Sequence, residues 1–516
     1  MSMGSESLVS RLKSCGLLQT KGLIGGKWVD AYDGKTIEVH NPANGQVIAS
    51  VACMGDKEAK DAISAAYDAF APWSKLTAAD RSNRLRNWLD TGLVSSSSLQ
   101  RRQSVFMPVG VVGVVTPWNF PLAMITRKVN VASLFEVAVS NPLLMNRLTG
   151  KQKEIKRKRV KKKPFKPFPS KTRLSFVKTK VVQAIRPNTQ PTILATSYVG
   201  PALACGCTVV IKPSEFTPLT ALAAAELALQ SGIPPGVLNV VTGDAPKIGN
   251  SLLESPQVRK ITFTGSTAVG KKLMAGAAET VKKVSLELGG NAPCIVFDDA
   301  DLEVALKGSL ATKFRNSGQT CVCANRILVQ EGIYEKFTSA FSNAVQDLKV
   351  GNGFSEGVVQ GPLINEAAVQ KVDSFVQDAI SKGAKVLVGG KRHSLGFTFY
   401  EPTIIGDVKN EMLIARQEVF GPVAPVIRFK TEEEAIQIAN DTNAGLAAYI
   451  FTNSMKRSWR VAEALEYGIV GVNEGLVSTE VAPFGGYKQS GLGREGSKYG
   501  LDEYLEIKYV CMGNMG

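Results

Sequence analysis

Cys321 closes the run Ser317-Gly318-Gln319-Thr320-Cys321, and Glu287 stands inside Leu286-Glu287-Leu288-Gly289-Gly290-Asn291. A thiol can attack an electrophilic carbon if it is accessible and activated, and small residues just before it suit an open turn. A carboxylate able to work as a base is the natural second part of such a site. Taken singly, each residue has a plainer reading. A Cys beside Gly also suits a small buried hydrophobe, and Glu287 also suits a solvated loop acid.

A second group points to a nucleotide cofactor. Residues 260–264 read as a strand, Gly265-Ser266-Thr267-Ala268-Val269-Gly270 as a turn, and a helix follows from Lys271. A strand, a Gly turn and a helix N-terminus direct backbone N–H groups and the positive helix end at a pyrophosphate. The spacing is GxxxxG rather than GxGxxG, so an ordinary strand-to-helix turn fits it as well.

The elements that must hold these residues can be read from periodicity. Residues 24–51 alternate short apolar runs with turn signals and suggest a small β-meander. Residues 56–73 carry helical apolar spacing. Short apolar runs at 109–115, 207–211, 237–241 and 260–264 alternate with helical stretches. This order implies an α/β fold with a doubly wound, Rossmann-like parallel sheet. A second strand–helix alternation covers 292–472, and 501–510 reads as a helical turn followed by a strand.

Composition removes several function classes. The net charge is +16 over 516 residues, but residues 130–199 hold sixteen Lys and Arg against Glu136 and Glu154. The rest of the chain is close to neutral. The basic balance therefore belongs to one Pro- and Lys-rich segment, expected to be a poorly packed insertion, and no nucleic-acid partner is expected. The most apolar stretch, 219–229, is interrupted by Glu226, so no membrane partner is expected. Eight Cys without a CxxC pair suggest a reducing compartment. The two His, His40 and His393, lack ligand spacing, so neither a metal site nor a Ser-His-Asp triad is expected.

Seven segments in order resemble the aldehyde dehydrogenase superfamily. They are Pro117-Trp118-Asn119-Phe120-Pro121, Lys212-Pro213-Ser214-Glu215, the turn from Gly265 to Gly270, the Glu287 loop, the Cys321 turn, Glu418-Val419-Phe420-Gly421-Pro422, and Pro483-Phe484-Gly485-Gly486. The resemblance implies an oxidoreductase in which Cys321 attacks an aldehyde and Glu287 activates water. Asn119 and the Cys321 N–H would hold the oxyanion. The cofactor would meet Pro117, Trp118, Lys212, Ser214, Glu215, Gly265, Ser266, Gly270, Glu418 and Phe420. A carboxylate at Glu215 accepts ribose hydroxyls and repels a 2′-phosphate, which favours NAD over NADP.

The stretch from Lys313 to Asn325 and the segment 471–513 are similar to plant succinate-semialdehyde dehydrogenases. That likeness implies Arg315 and Ser478 as holders of a remote carboxylate; an arginine fork suits that task. It also implies Cys323 as a redox partner of Cys321, a homotetramer or dimer, and the mitochondrial matrix, although MSMGSES carries no presequence pattern. A broader aldehyde dehydrogenase and an inactive product of the same family stay open beside this reading. The implied division is a cofactor domain (22–129 with 200–286), a catalytic α/β domain (287–472) and a returning segment with an oligomerisation strand (473–516). The chain departs from the family pattern twice. The segment 130–199 interrupts the helix after Asn119, and about fifty residues expected between Trp88 and Leu99 are missing, a loss of helix that a compact domain would not replace with a short Ser run.

Overall fold

A computed structural model describes residues 13–14, 16–90, 106–122, 199–479 and 481–511. The basic segment 130–199 therefore lies, apart from Val199, outside the described residues, as does the Ser run 95–98.

Two mixed sheets carry the molecule. The first has eight strands, and its middle is parallel. The strand Val111–Val115 sits at the centre, with Thr208–Lys212 and then Leu238–Val240 on one side and Val258–Thr264 and then Lys283–Glu287 on the other. Chain order thus runs outward from the centre in one direction and then in the other. The crevice beyond the carboxyl ends of Val111–Val115 and Val258–Thr264 is the switch point where doubly wound sheets bind ligands. Val, Ile and other branched residues fill these strands because both faces are covered. Trp73, Leu222, Leu238 and Tyr504 are packed in one apolar cluster of this half; Ala59, Ala62, Ile63, Ile248 and Ile261 are packed in another.

The second sheet has seven strands, six of them parallel, and begins at Ala292–Val296, five residues after the first sheet's last parallel strand. Phe297, Phe375 and Ile427 belong to one of its apolar clusters, and Phe314, Phe337 and Tyr449 to another.

Two expectations are corrected. Residues 24–51 do not form one meander. The hairpin Gly22–Ile24 with Lys27–Val29 joins the first sheet, while Thr36–His40 and Val47–Ala52 pair only with each other. The helix after the Gly265 turn starts at Thr267 rather than Lys271, because Ser266 caps it by accepting from the Val269 N–H at 3.4 Å. At the C-terminus a helical turn, Tyr499–Asp502, precedes the strand Leu505–Ile507, which pairs with Phe106–Pro108.

Candidate active site

The helix Leu302–Phe314 starts on an Asp301 cap and ends just before the thiol loop. Asn316 and Ser317 then take φ of 52° and 53°, in the left-handed region that costs a non-glycine residue on the order of 1–3 kcal/mol. Gly318 follows at φ 73°, and a Cβ there would lie 2.0 Å from the Gly421 carbonyl oxygen. The loop is held in this shape from the side. Ser317 Oγ donates to Gly361 O at 2.9 Å, and Gln319 Oε1 accepts from the Ile364 N–H at 3.0 Å. Such a turn lifts Cys321 to a half-buried position while Cys323 stays buried. Neither thiol is in a disulfide.

Two other loops close on this turn. Asn119 follows the central strand, and its amide donates to Gln319 O at 3.1 Å; Asn316 Nδ2 returns to Asn119 O at 3.1 Å. The side-chain amide of Asn119 is thereby tied to the turn that carries Cys321. Glu287 ends the strand Lys283–Glu287 and is buried, with its carbonyl accepting from Gly265 N. Three residues later the backbone touches the thiol loop: a Cβ on Gly290 would lie 2.1 Å from the Cys321 carbonyl oxygen. Only glycine permits that approach.

The opposite wall is built on Glu418 and Phe420. Glu418 Oε1 accepts from Gly290 N at 2.9 Å, and Lys371 Nζ donates to Glu418 O. Burial pushes the Glu418 carboxyl up to about 7, against the opposing pull of the Gly290 N–H, Lys371 and Lys313. Phe420, itself at φ 55°, meets the Trp118 ring edge-to-face at 5.6 Å. A cavity of about 520 Å³ opens between Thr267, the Gly289–Gly290–Asn291 backbone, Glu418 and the 440–444 turn. Arg416, Asp441 and Thr442 line it and were not singled out from the sequence, which offers no motif there beyond ordinary turn residues.

Behind the cavity sits a buried polar network. Arg326 donates to the carbonyls of Asn291, Ile438 and Ala439 and to the Tyr467 hydroxyl. Asn325 bridges Asn291 Oδ1 and the Val419 N–H. This network fixes Asn291 and the Glu418 loop relative to each other. Asn325 and Arg326 lie in the strand Ala324–Gln330, while Ile438 and Ala439 belong to the helix Glu432–Asn440.

The remaining candidates fall at carboxyl ends of the same first sheet. Lys212, buried, ends its strand and pairs with the exposed Glu215 at 2.8 Å. Burial pushes the Glu215 carboxyl up, but the Lys212 hydrogen bond and charge outweigh it and hold the group below the usual glutamate value. Ser214 Oγ accepts from Phe216 N and stabilises the turn. Pro117 follows the central strand, half-buried. Gly265 lies against the Phe263 ring, and Gly270 lets the helix pack on Leu288.

Arg315 is brought to the Asn119 turn, its guanidinium 5.4 Å from the centre of the Phe120 ring. Ser478 is half-buried, and its neighbour Val477 packs against the cluster that holds Phe314 and Cys321. Cys323 Sγ donates to Lys313 O at 3.6 Å, and burial pushes its thiol above the ordinary value. Among the described residues, no group of three or more His, Cys, Asp and Glu side chains could hold a metal ion, and no helix is long and apolar enough to cross a membrane.

The model of the aldehyde dehydrogenase family matches residues 28–92, 93–139 and 153–510. A mitochondrial succinate-semialdehyde dehydrogenase of Arabidopsis thaliana is 64% identical over 562 aligned residues, covering 100% of this chain and 93% of the relative. The NADP(+) succinate-semialdehyde dehydrogenase of Escherichia coli is 47% identical over 98% of this chain and 100% of its own length. Among solved structures, a succinate-semialdehyde dehydrogenase from Burkholderia pseudomallei superposes with a TM-score of 0.79 at 43% identity, covering 96% of this chain and 98% of that one. A betaine aldehyde dehydrogenase from Staphylococcus aureus, in complex with NAD+, gives 0.76 at 30% identity, covering 97% and 96%. With a family match over most of its length and relatives this similar, the chain belongs to the aldehyde dehydrogenase family.

Proposed function

We propose that this protein oxidises succinate semialdehyde to succinate with NAD. The observation that carries the reading is the meeting of three loops at the switch-point crevice: the Cys321 turn, the Asn119 turn bonded to Gln319 O, and the Glu287 loop pressed on the Cys321 carbonyl. A thiol, an amide donor and a carboxylate base on separate rigid elements suit acyl chemistry through a covalent intermediate. The crevice fits a dinucleotide: a capped helix N-terminus follows the glycine turn, and a cavity lies beside it.

Cys321 Sγ attacks the aldehyde carbon. The oxyanion is held by Asn119 Nδ2 and the Cys321 N–H. A bound NAD, held by Lys212, Glu215, Ser266 and Glu418, would supply the hydride acceptor for this carbon. The carbon then remains on Cys321 as a thioester. Glu287 takes a proton from water, which attacks the thioester; the acid leaves and the thiolate returns. Arg315, beside Phe120, holds the remote carboxylate of the substrate together with Ser478. The likeness to enzymes named for succinate semialdehyde supports this substrate.

NAD is favoured over NADP because Glu215 is kept ionised by Lys212, whose charge is thereby engaged. Pro117, Trp118, Ser214, Gly265, Ser266, Gly270, Glu418 and Phe420 complete the cofactor's surroundings. The cofactor domain comprises 22–129 with 200–286, and the catalytic domain 287–472. Exposed Phe106, Ile507 and Tyr509 on and after the paired strands support a homo-oligomer. The mitochondrial names of the plant relatives support the matrix as the compartment.

The test is direct. Cys321→Ala should abolish NADH formation from succinate semialdehyde. Glu287→Gln should accumulate a succinyl adduct on Cys321, visible by intact mass. Retained turnover in the Ala variant would remove Cys321 from the mechanism.

A further inference from the structure

Tyr449 stands in the strand Ala447–Phe451 of the second sheet, opposite Cys294 on one neighbouring strand and Gly471 on the other. Its side chain is fully buried in the apolar cluster that holds Phe314, Val322 and Phe341. Phenylalanine would fill the same space without the cost of carrying a hydroxyl out of water. The hydroxyl is used: it donates to Val322 O at 2.7 Å. Val322 is the residue between Cys321 and Cys323.

The bond falls where the thiol turn needs it. Ser317 and Gln319 clamp the turn ahead of Cys321. Behind Cys321, the Cys323 N–H closes on Thr320 O at 2.9 Å, a bond internal to the turn that cannot fix it to the rest of the protein. Cys323 Sγ adds only a weak thiol bond to Lys313 O. The Tyr449 hydroxyl comes from another strand and ties the far side of the turn to the sheet. The ring borders a second segment. A Cβ on Gly471 would lie 3.2 Å from Tyr449 Cδ1 and 2.7 Å from Val477 Cγ1, so the stretch leading to Ser478 packs over Gly471 beside the ring.

We propose that Tyr449 is a positioning residue for the dehydrogenase reaction: its buried hydroxyl, through Val322 O, fixes the turn that aims Cys321 Sγ and the Cys321 N–H at the aldehyde. The proposal rests on the reading that Cys321 is the nucleophile.

The experiment uses the full chain and its Tyr449→Phe, Tyr449→Leu, Tyr400→Phe and Cys321→Ala variants. It measures kcat, KM for succinate semialdehyde, KM for NAD and melting temperature, and follows alkylation of Cys321 by iodoacetamide through peptide mass. Tyr449→Phe keeps the ring and loses the bond, so kcat should fall about ten- to a hundredfold while KM for NAD stays within about twofold. The loosened turn should also let iodoacetamide reach Cys321 faster, a change opposite in sign to turnover. Tyr449→Leu removes the ring as well and should in addition raise KM for succinate semialdehyde. Tyr400→Phe removes another buried hydroxyl, one that donates to Asp373 Oδ1 at 3.1 Å in the other cluster of the second sheet; it should lower the melting temperature and leave kcat at the parent value. Parental kcat and alkylation rate in folded Tyr449→Phe, with Cys321→Ala inactive, overturn the proposal alone. An equal fall in kcat in Tyr400→Phe would trace the effect to general destabilisation and overturn it as well. Turnover in Cys321→Ala overturns the nucleophile reading, and the proposal with it. Failure of both Tyr449 variants to fold would make the residue structural and would also overturn it.

Discussion

Gly290→Ala is the sharpest perturbation this site allows. The new methyl would start 2.1 Å from the Cys321 carbonyl oxygen, about 1 Å inside the closest approach that side-chain carbons tolerate. The obstacle is backbone, so no rotamer change relieves it. Either the 289–291 backbone or the thiol loop must move by about 1 Å, and the thiol loop is clamped by Ser317 and Gln319. A reacting group misplaced by about 1 Å loses on the order of 10²-fold in rate, or about 2.7 kcal/mol of barrier. The strain costs about 1–3 kcal/mol of stability, which a domain with roughly 5–15 kcal/mol can absorb. The protein should therefore stay folded and lose about 100-fold in kcat/KM, read as NADH absorbance beside a circular-dichroism melt. Two controls bracket it. A Cβ on Gly289 meets only side-chain ends, Glu418 Oε2 at 3.0 Å and Thr267 Oγ1 at 3.2 Å, so Gly289→Ala should cost less than about tenfold, mainly in KM for NAD. Gly249, in the helix Ala245–Glu254, has open space, and Gly249→Ala should stabilise by about 0.4–1 kcal/mol without touching activity. A folded Gly290→Ala protein with parental kcat/KM would falsify the claim that this contact sets the position of Cys321.

Glu215→Ala should narrow the preference for NAD over NADP, because the carboxylate that repels a 2′-phosphate is gone and Lys212 is released; equal kcat/KM for both cofactors in the parent would sink this account. Arg326→Met should lower the melting temperature sharply. It strips donors from Asn291 O and from Ile438 O and Ala439 O at the end of the helix Glu432–Asn440, and each buried acceptor so stranded costs about 1–3 kcal/mol. An unchanged melt would mean that the pocket wall does not depend on this guanidinium.

Much of this molecule is written locally. A thiol after small residues, a glutamate before paired glycines, and apolar runs alternating with helical stretches are patterns within a few residues of one another. Periodicity and steric freedom act at that range, so the parallel sheet and the candidate residues Cys321 and Glu287 are legible without coordinates. Local rules also err where a neighbour competes. Ser266 captures the Val269 N–H and starts its helix four residues earlier than the glycine spacing suggests. The first hairpin leaves its sequence neighbours for Val240, across the chain, because Leu23 is buried there. What tertiary structure alone decided are the distances between loops. Asn119 reaches Gln319 two hundred residues away, Gly290 presses on Cys321, and Lys313 is buried with no hydrogen-bond partner for its Nζ among the described residues. In sequence Lys313 is one basic residue among sixty-one Lys and Arg. Its burial follows only from the packed chain, because the dielectric and the partners around a charge are set by tertiary packing and not by its neighbours in sequence.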